Sequence, residues 1–159
     1  MTRGSDRFNK FIQIMPELLQ SLKKSEAFEI TDRTQTIPKS GVYVFYENNK
    51  PIYVGRSNNV KGRLLQHGRE SSGHNQATFA FILAKEQMKV DKEAHKKAQI
   101  TRKELEGAPG FEQEFSEQRI RVRKMKIRLI EIDDQTTQAL FEIYAALVLE
   151  TPYNDFGTH

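Results

Sequence analysis

Between Ala139 and Leu149 every residue except Glu142 is apolar, and no other stretch constrains the fold as strongly. Its composition suits a helix, capped by Asp133-Asp134-Gln135-Thr136, running to about Glu150 and ended by Thr151-Pro152. A helix apolar on all sides predicts burial on all sides, so the rest of the chain must wrap it. A carboxylate inside such a helix has to be paired, protonated or bound to a cation, because burying an unpaired charge is costly. Two readings stay open for Glu142: a buried ion pair with a nearby arginine, or a hard oxygen ligand for Mg²⁺.

The 159 residues allow one domain with a modest core, expected to span residues 1–159. Hydrophobic residues make up 37% and charged residues 29%, the profile of a globular protein with a polar surface. The longest uninterrupted apolar run, Ile143 to Leu149, is far short of the roughly 20 residues of a membrane span. The first six residues lack the apolar core of a signal peptide. There is no cysteine, which excludes disulfides and thiolate metal sites, and a cytoplasmic location is the default expectation. The net charge of +4 hides an asymmetry. Residues 129–159 hold six acids and no Lys or Arg, which leaves 25 bases against 15 acids on residues 1–128. A basic body with an acidic end suits a chain that grips a polyanion and also holds a cation.

Apolar residues at Phe8, Phe11, Ile12, Met15, Leu18, Leu19 and Leu22 predict an amphipathic helix over residues 6–24, capped by Ser5 or Asp6 and broken or kinked at Pro16. Residues 31–40 read as a loop. Gly41 to Tyr46 and Pro51 to Gly55 form two β-type runs around Asn48-Asn49, a hairpin in which Pro51 marks an open or edge ladder. A two-residue turn would place Tyr43 and Tyr53 on opposite faces, whereas a three- or five-residue loop would place them on one. A short helix is expected from about 58 to 68, then a helical excursion over residues 70–118, with residues 77–90 the clearest part. Residues 119–132 read as a third strand with a bulge at Arg123-Lys124. That register lines up Arg119, Arg121, Arg123 or Lys124, Lys126 and Arg128 as a solvated face or a phosphate-facing strip. Histidines 74, 95 and 159 read as surface residues.

Arg63 and His67 lie four residues apart, on one face of the short helix, with Arg56 and Asn59 extending the stripe toward the hairpin. An arginine fork can clamp a phosphate and a histidine can move a proton near neutral pH, though a surface pair of this kind is commonplace.

The order of elements resembles the GIY-YIG nucleases. Gly41-Val42-Tyr43 is followed after nine residues by Tyr53-Val54-Gly55, then by Arg63, a distal Glu142 and Asn154. Val replaces Ile in both triads. Either triad alone is a weak motif, but the ordered set is specific. The resemblance implies an α/β domain of α+β type, a small three-stranded antiparallel sheet flanked by helices. Residues 1–35 then become an N-terminal helical extension and 70–118 a helical insertion. It further implies a metal-dependent DNA endonuclease with a single Mg²⁺ or Mn²⁺ site, restriction-like or defence-related in setting. A homodimer is expected if both strands are cut, and no membrane is involved. By this analogy Glu142 holds the metal, Arg63 polarises the phosphate, Tyr43 is the base or assists it, and Tyr53 positions the nucleophile. His67 assists proton transfer. Arg56, Asn59, Arg121, Lys126 and Asn154 are the nucleic-acid-binding candidates, with Asn154 also a structural organiser. Two alternatives remain: a non-catalytic nucleic-acid-binding module, and a nuclease acting on RNA or single-stranded DNA.

Overall fold

The computed structural model describes residues 2–90 and 102–156. His95, His159 and most of the charged stretch 92–106 lie outside these residues. The chain divides into two compact units, Met1–Arg63 with Met125–His159, and Leu64–Lys124.

The first unit opens with helix α1 (Arg3–Gln13) and helix α2 (Met15–Lys24). They part at Ile14 because Pro16 lacks an amide hydrogen and suits a helix start better than a helix interior. Thr2, not Ser5 or Asp6, caps α1, its hydroxyl accepting from the Ser5 amide. Strands β1 (Gly41–Glu47) and β2 (Lys50–Ser57) form the hairpin, and β3 (Lys126–Glu131) pairs with the other side of β1, all antiparallel in the order β2-β1-β3. This is the α+β architecture of a three-stranded antiparallel sheet flanked by helices.

Val42, Val44 and Val54 point to one face and pack with Met15, Leu19 and Leu22 of α2. The same core takes Phe141, Ala145 and Ala146 of α7 (Gln135–Val148). Asp134 caps α7, its side chain accepting from the Thr137 amide at 2.7 Å. Both sheet edges are covered: Phe28 bridges to Ile127 beside β3, while the Tyr153 amide donates to Ile52 O beside β2.

Further expectations fail here. Helix α7 is apolar but not enclosed, since Ile143, Leu147 and Val148 are exposed, Leu147 at 68%. Its inner face packs on the sheet, while these three residues are left to solvent. The third strand is also shorter than its alternation suggests. Residues 111–123 are a helix, α6, in the second unit. Phe111, Phe115, Gln118 and Val122 recur at four, three and four residues and are buried, which outweighs the short Ile120/Val122 alternation. The expected bulge at Arg123-Lys124 is the end of that helix, and the one-faced basic strip does not form. Arg119 donates to the Glu70 and Ser72 carbonyls and Arg123 to Gly68 O. Arg128, on β3, reaches Ser25 O.

The second unit contains most of α3 (Val60–Gly68), then α4 (Thr78–Val90), α5 (Arg102–Glu106) and α6 (Phe111–Arg123). His74, expected at the surface, is a hub of this unit. Its ring meets Phe111 and Phe115 edge-on, with Nδ1 at 3.1 Å from Glu106 and Nε2 at 3.0 Å from Glu112. No helix among the described residues is long and apolar enough to cross a membrane.

Candidate active site

The hairpin decides whether the two tyrosines can act together. Its turn has two residues, Asn48 and Asn49, both with positive φ, as a tight hairpin turn requires. By parity alone that turn separates Tyr43 from Tyr53. The register shifts, however, between Phe45, which faces Tyr53, and Tyr46, which faces Pro51. Ile52 is the extra residue, and this bulge restores the parity, so Tyr53 lies opposite Phe45 on the face that also carries Tyr43. The rings form a continuous set: Tyr43 and Phe45 are edge-on at 5.8 Å, and Phe45 and Tyr53 are 6.3 Å apart.

Gly55, the cross-strand partner of Tyr43, is required by that packing. A Cβ there would collide with the Tyr43 ring and hydroxyl, so the phenol lies over the glycine. Gly41 has a separate reason: a Cβ would strike the Ile130 carbonyl across the β1–β3 pair. The glycines of the two triads thus permit a close ring and a close strand.

Around this phenol the structure gathers four of the five expected catalytic residues. The Arg63 guanidinium, from the first turn of α3, donates to the Tyr43 hydroxyl. Burial pushes the Tyr43 phenol far above its usual range, and the Tyr53 and Glu142 charges push the same way against Arg63. Burial also raises Tyr53, with Arg63 opposing and Glu142 adding. Glu142 itself is raised by burial, more than Arg56 lowers it through a hydrogen bond and its charge. Arg63 and Glu142 thus both act on the two phenols, which form with them one electrostatic cluster. His67 falls in the second unit and is fully buried there.

Arg56, one residue past Gly55, places its Nε 2.8 Å from Glu142 Oε2. The arginine partner considered for Glu142 therefore exists, although Glu142 is only part-buried, at 23% exposure. No group of three or more His, Asp or Glu residues gathers as a metal cage among the described residues. A lone carboxylate with one oxygen outside any hydrogen bond fits a hard cation that keeps most of its waters.

The other binding candidates divide. The Asn59 side-chain Oδ1 accepts from the Gly62 amide at 3.2 Å and caps α3. The Asn154 carboxamide clamps Val54, accepting from its N–H at 2.8 Å and donating to its C=O at 2.9 Å. Thr151 holds the same Asn154 oxygen at 2.9 Å. Lys126 is exposed and 3.2 Å from Glu29, and Arg121 lies on α6 beside Gln118. The features missed in the sequence are the Ile52 bulge, whose one available hint is the neighbouring Pro51, and the Val54 clamp.

Residues 39–154 match the GIY-YIG catalytic domain. Over 33 residues the chain is 54% identical to UvrABC system protein C of Aquifex aeolicus (strain VF5), a stretch covering 21% of this chain and 6% of that protein. No solved structure matches the chain. A match over well over half of the sequence, on a sheet that brings both triads, Arg63 and Glu142 together, means that the chain belongs to the GIY-YIG family of nuclease domains.

Proposed function

We propose that the chain is a Mg²⁺-dependent DNA endonuclease, with Mn²⁺ able to substitute, that hydrolyses phosphodiester bonds. The observation that carries this reading is the cluster itself: the Arg63 and Glu142 charges both act on the Tyr43 and Tyr53 phenols, and the Tyr43 ring lies over Gly55. Phosphodiester hydrolysis needs an oriented water, positive charge against the phosphate and a stabilised leaving oxygen.

Glu142 is the residue that would hold the cation, which supplies positive charge to the phosphate and the leaving oxygen. Arg63 supplies a second, fixed positive charge, and its bond to Tyr43 sets both side chains. With burial raising both phenols, each is protonated at neutral pH. Tyr43 and Tyr53 thus work as orienting hydroxyls for the water and the phosphate rather than as bases. The scheme runs without His67. Arg56 and Lys126, both exposed, suit phosphate contact, while Asn59 and Asn154 act by holding the backbone. The excess of bases on residues 1–128 favours a nucleic acid, and the absence of tryptophan for base stacking favours duplex DNA over RNA or single strands.

The test is a cleavage panel of plasmid DNA, single-stranded DNA and RNA, each with Mg²⁺ and with EDTA. Nicking or linearisation of plasmid in Mg²⁺ and its loss in EDTA are expected. Cleavage that persists in EDTA would overturn the metal requirement, and cleavage of RNA alone would overturn the substrate.

A further inference from the structure

Glu142 is the carboxylate of the cluster, and one of its two oxygens is held by Arg56. Arg56 is 42% exposed and donates through its Nε to Glu142, so its side chain is held at that carboxylate and partly open to solvent. A divalent cation on Glu142 and a guanidinium on the same carboxylate repel each other, whether they share an oxygen or take one each. A phosphate diester relieves that conflict, because it offers the guanidinium a second anion of suitable geometry.

We propose that Arg56 is a positioning residue that couples cation binding to nucleic-acid binding: it holds Glu142 until a divalent cation arrives and then transfers to a backbone phosphate. This rests on the reading of Glu142 as the metal-holding residue. The exchange requires no backbone movement, since Arg56 can turn about its own side-chain bonds. By linkage, a cation that releases Arg56 tightens nucleic-acid binding by the same factor as nucleic acid tightens the cation.

The experiment titrates Mn²⁺ by electron paramagnetic resonance into the wild-type chain, Arg56→Ala, Arg56→Lys and Glu142→Ala, each first shown to be folded by circular dichroism. Loss of a partly exposed ion pair sets the scale, and Arg56→Ala is expected to bind Mn²⁺ about 2- to 5-fold more tightly than wild type. Arg56→Lys, which keeps the charge, falls between them. Duplex DNA affinity is then measured with Ca²⁺ and with EDTA. The gain on adding Ca²⁺ is expected to be larger by about the same factor in wild type than in Arg56→Ala. If Glu142→Ala loses Mn²⁺ while Arg56→Ala binds it no more tightly than wild type, the coupling is overturned and the metal assignment stands. If Glu142→Ala keeps wild-type Mn²⁺ affinity, the metal assignment falls and the coupling with it.

Discussion

At Glu142 the surroundings resist the ionised form, and that has a measurable thermodynamic consequence. The folded-state pKa lies above the ordinary carboxylate value, burial being the larger cause and Arg56 the opposing one. A raised pKa means that folding favours the protonated form. The stability this group contributes is therefore full below the ordinary value and is lost as pH rises through the folded value. Glu142→Gln, close in shape and uncharged, should match wild type in melting temperature at pH 4 and exceed it at pH 7. Calorimetry at the two pH values checks this. A Glu142→Gln melt below wild type at pH 7 would mean that the Arg56 pair outweighs burial. An active-site group that costs stability for function is a familiar trade. The sequence made Glu142 conspicuous for a reason that the structure corrects: α7 is apolar all round but exposed along Ile143, Leu147 and Val148. The carboxylate is half-enclosed beside Arg56, so the arginine pair considered for it is present, and the cation is the part that the proposed function adds.

Among the elements, the hairpin shows what can be read and what cannot. β1, β2, the break at Pro16, the Asp134 cap and α7 all carried periodicity, turn or cap chemistry in the sequence. The bulge at Ile52 did not, because an inserted residue in a ladder needs no special side chain, and it reverses the parity set by the Asn48-Asn49 turn. Pro51 next to it was the available hint, since it cannot donate to a ladder and β2 is an edge strand. The α6 helix was hidden by two apolar residues at strand spacing inside a longer helical pattern. Asn154 belongs to this scale because it closes the free edge of β2 at Val54, between the second tyrosine and Gly55. Asn154→Ala leaves the Val54 N–H and C=O without this partner and should cost about 1–2 kcal/mol of stability. It should lower cleavage several-fold and leave duplex affinity within about twofold, because a displaced strand misplaces the cluster without removing a phosphate contact. Denaturant melts, cleavage rates and a binding titration on the same variant check this. A loss of duplex affinity at unchanged stability would make Asn154 a nucleic-acid contact instead.

For the whole molecule, the charge asymmetry of the sequence has a structural counterpart in the first unit. Glu142 lies on the helix of the base-free C-terminal segment, whereas Arg56 and Arg63 follow the hairpin. Folding brings the acidic end against basic groups distant in sequence, which neither segment could show alone. The arginines of residues 119–128 bond mostly to carbonyls, so the sequence overstated how many cations are available to a polyanion. The second unit, with His74 set between Glu106 and Glu112 over a phenylalanine cluster, has its own core and its own aromatic packing. In the proposed function one carboxylate holds the cation on which cleavage depends. This role is tested most directly by assaying wild type and Glu142→Ala side by side, following plasmid cleavage in Mg²⁺ and duplex binding in Ca²⁺. Glu142→Ala is expected to lose cleavage by at least about 10²-fold and still to bind the duplex. Undiminished cleavage by Glu142→Ala would contradict it.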